Sequence, residues 1–454
     1  MSIEKDRLII GLTGSFGSGC STAAKWLNKV LQVKVYKITN DYLKSPVELK
    51  NGTYRMSSLI KEEAINKGCR LPFDRKLLQE IGNELRQKCT GYLAAEIIRR
   101  IGEVEEKVGE KSNPPIVIDG VKNTGEVVEF RKYSNFFLIG IDASFDVRWG
   151  RLKEEYGGDQ GKFEKDDERD HNENIDYGQQ VDKCVYLSDI LINNDSDRFK
   201  EFFDKIDDCI ELIKKERYQY PDPDETIMTQ AYSESLKSPC FKRKVGAVIT
   251  SSIGEMISSG FNGVPGGGSG LGEKSCEDEW GMCYRDKIKI DLLKKIKFCP
   301  NCGNKIEESI SCPKCNSTIP VKDLFCPRCP ECDLDLDLGI YFICKSCKMR
   351  IIEEFIGPQL EKCRALHAEE KAILQLSKLG TVISLQDTTL YTTTFPCFLC
   401  AKKIYEVKIG RVVYVEPYPG KESWELLNRS TTISIKKFEG VKARAYFRFF
   451  DRSK

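Results

Sequence analysis

CRALHAEEKAI (Cys363–Ile373) and TLYTTTFPCFLCAKKI (Thr389–Ile404) decide the architecture of the second half of this chain. Within them stand His367-Ala368-Glu369 and Pro396-Cys397-Phe398-Leu399-Cys400. Each group opens a helical pattern, and a strand pattern, Thr389 to Thr394, lies between them. Cys397 and Cys400 read as positions i and i+3 of a first helical turn, so both thiols face one side. Pro396 suits the start of that helix, and the positive end of its dipole favours two thiolates. Two thiolates and the His367 imidazole are three ligands for Zn²⁺, which leaves the fourth tetrahedral position open for water. Glu369 follows a ligand by two residues and is placed to face that water without ligating it. A PCxxC alone could be half of a structural zinc knuckle, and an HAE alone occurs by chance. Their order, and the helix that each opens, favour a catalytic zinc centre.

Outward from this centre the pattern is α/β. Val245 to Thr250 and Glu255 to Phe261 read as strands, with a turn at Asn262 and Gly263, and Val412 to Val415 as a further strand. H-x-E…P-C-x-x-C is the signature of zinc nucleobase deaminases. SPCFKRKVGAVIT (Ser238–Thr250), SSGFNGVPGG (Ser258–Gly267) and GRVVYVEPY (Gly410–Tyr418) extend the match. Over about residues 225 to 440, less an insert, the chain resembles the deoxycytidylate (dCMP) deaminase family. The resemblance implies a cytidine-deaminase fold, a mixed five-stranded sheet with helices on its faces. It implies a homo-oligomer, with a hexameric ring favoured. It also implies that Asn262 touches the nucleotide, that hydroxide attacks C4 of cytosine, and that Glu369 moves the proton to N3 and then to the leaving amine. Lys242 and Arg243 precede the first strand and are candidates for phosphate contact. A solvated basic cluster is the equal alternative.

The chain has 20 cysteines, and 14 of them lie from Cys276 to Cys363 or in the PCxxC that follows. Paired C-x-x-C spacing in a reducing compartment reads as metal binding. Cys299 and Cys302 with Cys312 and Cys315 make one expected set, and Cys326 and Cys329 with Cys344 and Cys347 another. A tetrahedral S₄ site is closed and structural, so two zinc ribbons are expected in an insert over about residues 284–362. Ribbons can also grip RNA or DNA, but the insert has few aromatic residues for base stacking. An iron–sulfur cluster is the lesser alternative. Cys332 stands at the same spacing from Cys329, which leaves open which of Cys326, Cys329 and Cys332 bind. Cys276, Cys283 and Cys363 flank the insert without an assignment.

Residues 1 to about 217 alternate strands and helices, the pattern of a parallel sheet covered by helices. Gly14-Ser15-Phe16-Gly17-Ser18-Gly19-Cys20-Ser21 has Walker A spacing after a strand and before a helix, the context that such a loop requires. Cys20 stands where the lysine belongs, and a cysteine cannot supply the charge that bridges the β and γ phosphates. Backbone N–H groups could still cradle phosphate, and Ser21 could still meet a metal ion. Val117-Ile118-Asp119-Gly120 looks like a Walker B strand. This half resembles small P-loop kinases of the dephospho-CoA or nucleoside-monophosphate type. LLQEIGNELRQ (Leu77–Gln87) and Arg148 and Arg151 on a lid-like segment belong to that likeness. Nucleotide sensing is favoured over phosphoryl transfer; a glycine turn that binds nothing is the plain alternative.

Two domains follow: a P-loop kinase-like domain over 1–217, and a cytidine-deaminase-like α/β/α domain over 218–454 that carries the insert. A formal net charge of +2 over 454 residues demands neither nucleic acid nor an acidic membrane as partner. The start, MSIEKDRLIIGLTG, reads as a first strand and not a signal peptide, so a cytoplasmic protein with no membrane partner is expected. The fusion of both likenesses resembles the bacterial anti-phage dCTP/dCMP deaminases. That resemblance implies deamination of dCTP and dCMP and depletion of dCTP. The HAE/PCxxC site and two ribbons would take one catalytic and about two structural Zn²⁺. Because such an enzyme must be held inactive in healthy cells, regulation through the first domain by a nucleoside triphosphate with Mg²⁺ or by an RNA is expected. The alternatives are a housekeeping dCMP deaminase or kinase–deaminase feeding dTMP synthesis, and a deaminase that edits RNA or DNA.

Overall fold

The computed structural model describes residues 6–31, 54–108, 114–171, 173, 175–196, 198–215, 220–265, 275–276, 281–306, 309–311, 317–323, 331, 344–347, 349, 351–357, 359–379, 384–418 and 421–451. They divide into two compact units, one of residues 1–226 with 437–454 and the other of residues 227–436. No helix among the described residues is long and apolar enough to cross a membrane.

The first unit is built on β1 (Ile9–Thr13), β2 (Tyr54–Arg55), β3 (Ile116–Asp119), β4 (Phe136–Asp142) and β5 (Ile190–Asn193). They run parallel in the order β2-β3-β1-β4-β5. Successive strand residues point to opposite faces, and both faces are covered. Ile9, Ile116, Ile118, Phe136 and Leu138 enter one apolar core. Ile10, Leu12, Val117, Phe137 and Ile139 enter the other. Strand order reverses at β1, so the crevice for a ligand lies at the carboxyl ends of β1 and β3. Gly14 and Asp119 stand there.

Local features set several element boundaries, and one expected domain boundary is corrected. The chain from Arg75 to Val108 forms two helices, Arg75–Lys88 and Tyr92–Val108. The break comes at Cys89, which is extended (φ −166°, ψ 134°), and a Cβ on Gly91 would meet the Gly125 carbonyl at 3.0 Å. Arg148 and Arg151 lie on the helix Phe145–Leu152, and a further helix, Gln160–His171, is pinned by the buried Phe163 ring. Pro223 begins the helix Pro223–Ser235, a position where its missing N–H costs nothing. The expected second domain, 218–454, is too long at its C-terminal end. Gly440–Val441 pairs antiparallel with β5 of the first sheet. The helix Ala443–Phe450 follows and stacks Phe449 on Phe137, ring centroids 5.3 Å apart. A strand of two residues has too little pattern to be read from sequence.

The second unit has a five-stranded sheet. Its strands are β6 (Gly246–Thr250), β7 (Met256–Phe261), β10 (Thr389–Thr394), β11 (Arg411–Glu416) and β12 (Ser434–Lys437), in the order β12-β11-β10-β6-β7; β8 (Ser309–Ser311) and β9 (Thr318–Pro320) belong to the insert. β10 and β11 are parallel, while β6 pairs antiparallel with β10 and with β7. This is the mixed sheet that the resemblance implies. The helices Ala368–Leu379 and Phe398–Val407 pack into one apolar cluster with Ala247, Ile249, Leu390 and Val412. Gly260 of β7 lets the first of these helices lie close, because a Cβ there would stand 2.3 Å from the Ala368 carbonyl oxygen and 2.7 Å from the Ala372 nitrogen. Gly260→Ala should therefore force sheet and helix apart and destabilise this unit by about 1–3 kcal/mol. A fall in the thermal unfolding midpoint measures it; an unchanged midpoint would contradict this packing.

Candidate active site

β10 feeds the helix Phe398–Val407, which returns the chain to the parallel strand β11. Cys397 is the N-cap of this helix (φ −67°, ψ 168°), and its carbonyl accepts the Ala401 N–H at 2.8 Å. The sequence reading puts Cys397 inside the first turn; the helix instead starts one residue later, and Pro396 precedes the cap. His367 holds the equivalent place before Ala368–Leu379, its carbonyl accepting the Lys371 N–H at 2.9 Å. Two helix N-termini thus bring His367, Cys397 and Cys400 together, with their ligand atoms within 4.8 Å of one another. His367 Nδ1 lies 3.2 Å from Cys397 Sγ and 3.3 Å from Cys400 Sγ. Tetrahedral Zn²⁺, with bonds of about 2.3 Å to S and about 2.1 Å to N, separates such atoms by about 3.5 Å. The donor set fits zinc within a few tenths of an ångström.

Glu369 is buried in the first turn of its helix, and Cys400 Sγ contacts its Oε2 at 3.6 Å. Burial raises the Glu369 carboxyl, which suits a group that must both take and return a proton. The Cys397 thiol is pulled down to about 4 by the Cys400 hydrogen bond and, against burial, by His367. Burial opposes charge on His367, but hydrogen bonds with Cys363 and Cys397 carry it up to about 10. The proton held there occupies the place of a cation, and metal binding would displace it. Cys363, which the sequence leaves unassigned, is thereby a neighbour of the first ligand. No spacing rule points to it.

The other expected substrate contacts are engaged within the protein. Asn262 Oδ1 accepts the Val245 N–H at 2.7 Å and its Nδ2 donates to the Arg243 carbonyl at 2.8 Å. Its side chain braces the loop that leads into β6. Lys242 pairs with Asp286 at 2.7 Å. Arg243 pairs with Glu416 at 3.2 Å and lies over the Tyr418 ring. Each cation therefore faces a carboxylate, which is a weaker setting for phosphate than the sequence suggests.

The insert has its own small core, in which Ile290, Leu293, Ile306 and Ile351 surround Cys299 and Cys344. The expected pairing of cysteine knuckles is corrected here. Cys299 and Cys302 meet Cys344 and Cys347, a pairing that differs from both expected sets. Cys299 and Cys347 are 3.6 Å apart, and Cys302 and Cys344 3.5 Å apart, close to the roughly 3.8 Å of a ZnS₄ tetrahedron. The fold thus joins the first knuckle to the last, and sequence adjacency misleads. Backbone N–H groups of Cys347 and, against burial, of Ser346 draw the Cys344 thiol down to about 6, so the site favours thiolate. Between them in sequence lies the antiparallel pair β8 (Ser309–Ser311) and β9 (Thr318–Pro320). Cys312, Cys315, Cys326, Cys329 and Cys332 lie outside the described residues.

In the first unit, Gly17 (φ 82°) and Gly19 (φ 116°) take left-handed backbone in the loop between β1 and the helix Cys20–Leu31. A Cβ on Gly14 would stand 2.2 Å from the Ile141 carbonyl oxygen. Ser21 Oγ donates to Asp119 Oδ2 at 2.7 Å, the pair expected beside a nucleotide-bound cation. The Cys20 thiol is half-buried at its surface, and desolvation and Asp119 push it up to about 12. It is a neutral group at the centre of the loop. A cavity of about 840 Å³ opens over Gly14, Gly19, Ser21 and Asp119.

The two described ligand sets could hold two zinc ions per chain. Cys400→Ser should remove one and Cys302→Ser the other, as read by elemental analysis of the purified protein. Equal zinc in Cys400→Ser and the parent would exclude the His367 set. Glu369→Gln should keep both ions, because Glu369 is not a ligand.

Residues 221–416 match the family model described as cytidine and deoxycytidylate deaminase zinc-binding region. The deoxycytidylate deaminase of Schizosaccharomyces pombe is 24% identical over 344 residues, 73% of this chain and 76% of that protein. That of Enterobacteria phage T4 is 28% identical over 211 residues, 46% of this chain and 86% of that protein. The dCMP deaminase of cyanophage S-TIM5, solved with dCMP and dUMP, aligns over 49% of this chain and all of its own at 18% identity, with a TM-score of 0.26 that adds nothing to the assignment. The His367, Glu369, Cys397 and Cys400 centre falls inside the region matched by this zinc-binding family model.

Proposed function

We propose that the second unit catalyses hydrolytic deamination of free deoxycytidine nucleotides, dCMP to dUMP and dCTP to dUTP, with release of ammonia. The observation that carries this is the buried Glu369 carboxylate beside a set of three zinc ligands. Bound Zn²⁺ supplies a Lewis acid that makes its water acidic near neutral pH. Glu369 accepts a proton from the attacking water, delivers it to N3 of cytosine, and then serves the amine that leaves from C4. His367, Cys397 and Cys400 hold the metal at the mouths of two helices, where backbone dipoles favour the thiolates. Relatives named for deoxycytidylate support dCMP as a substrate.

The extension to dCTP, and to depletion of dCTP against phage, rests on the fused first unit. An enzyme that drains dCTP must be restrained in a healthy cell. A glycine loop without its lysine, beside an intact Ser21–Asp119 pair, suits a unit that binds a nucleoside triphosphate with Mg²⁺ and responds to it. Assembly into a homo-oligomer, a hexamer, belongs to the same proposal, as does action in the cytoplasm.

Purified protein given dCTP, dCDP, dCMP, CTP and a cytosine-containing oligonucleotide separates the readings. Uracil product from dCMP and dCTP is expected. Product from the oligonucleotide alone would overturn the proposal, and dCMP turnover with inert dCTP would leave the housekeeping reading. Glu369→Ala should lower turnover about 10²–10⁴-fold with zinc retained.

A further inference from the structure

The first unit lacks the loop lysine, yet a different lysine reaches the same place. Lys122 follows Asp119 at the end of β3, after Gly120 in left-handed backbone (φ 91°). It lines the cavity over the glycine loop. Its charge acts on the Cys20 thiol, the residue that stands in the lysine's position. Its ammonium pairs with Asp170 of the Gln160–His171 helix.

Asp170 is fully buried. One of its oxygens takes the Lys122 ammonium, and the other accepts the Phe16 N–H of the glycine loop at 3.3 Å. An anion held between a loop amide and a lysine is what a phosphate oxygen meets in such a loop. The carboxylate thus marks an anion seat and fills it. The helix that carries Asp170 is held over the loop by identifiable contacts. Phe163 packs edge-on against Phe16 with centroids 5.2 Å apart. Asp167 binds Arg148 through both oxygens, at 2.5 and 2.8 Å. His171 pairs with Asp182 at 2.5 Å and contacts Ser15 Oγ at 3.3 Å. The cavity of about 840 Å³ beside this seat lies within the volume range of sites that hold a nucleotide-sized ligand.

We propose that Lys122 replaces the missing loop lysine as the phosphate-binding cation for a nucleoside triphosphate, and that Asp170 is an internal anion which that phosphate displaces. The inference rests on the nucleotide-binding reading of the first unit and adds a residue and a closed state to it. Displacement of Asp170 frees the Gln160–His171 helix from the loop amide and from Lys122. Ligand binding therefore has a structural consequence even without phosphoryl transfer.

The test is titration of the full-length, zinc-loaded protein with a fluorescent ATP analogue and Mg²⁺, repeated with excess dCMP to occupy the deaminase site. Lys122→Ala should weaken binding tenfold or more, and Lys122→Arg should restore most of it. Asp170→Asn should tighten binding severalfold, because the competing charge is gone. Zinc content and the unfolding midpoint confirm that each variant is folded. If the parent binds the analogue and Lys122→Ala binds it equally well, the assignment of Lys122 fails while the nucleotide reading stands. If neither the parent nor Asp170→Asn binds it, the nucleotide reading fails and takes this inference with it.

Discussion

Two buried thiols stand against a single imidazole, and one of them, Cys400, touches a buried carboxyl. Three acidic groups cannot all ionise in a poorly solvated site unless a cation holds them, because each charge would lose its hydration without a partner. Without metal, His367 takes that part by keeping a proton that its burial would otherwise remove. With metal, the same four residues are compensated, and one coordination position is left for water. The zinc domain is organised around this requirement. Both helix N-termini point at it, and one apolar cluster under the sheet fixes their spacing.

That spacing needs close approach between backbone and backbone. Gly260 removes the side chain that would keep β7 away from Ala368 and Ala372. Gly246 does the same at the start of β6, where a Cβ would stand 1.9 Å from the Ala231 carbonyl oxygen. Asn262 ties the loop before β6 to the end of β7 through both polar atoms of its side chain. A residue expected to face a nucleotide is thus also part of the frame that holds the sheet edge beside the ligands.

The first unit solves a different electrostatic problem. Its glycine loop presents backbone N–H groups, but its central side chain is a neutral thiol. The charge that the loop lacks comes from the end of β3, and the charge that it would bind is supplied from within by Asp170. Arg151 closes the loop from another side, donating to the Gly17 carbonyl at 3.1 Å and the Asn194 carbonyl at 2.9 Å. On the reading proposed above, Asp170 fills an anion seat between the Phe16 N–H and the Lys122 ammonium.

What could be read in the sequence was local. His367, Glu369, Cys397 and Cys400 were legible because helix geometry turns short spacing into shared direction, and because only a few residue types can hold zinc. The glycine loop and the Asp119 strand were legible for the same reason, as were the α/β alternation of both halves and the mixed sheet of the second. What depended on long-range packing was not legible. Knuckles at 299–302 and 344–347 close one site because the insert folds back on its own core, which no spacing encodes. The C-terminal strand and helix complete the first unit because Glu225 Oε1 accepts the Val441 N–H at 2.6 Å and Phe449 covers Phe137. Lys122 and Asp170 are 48 positions apart and carry no motif. Sequence by itself determined which chemistry each half can perform, since that follows from residue type and near spacing. Tertiary structure alone decided which distant charges meet, since a pair of charges acts through distance in space and not along the chain.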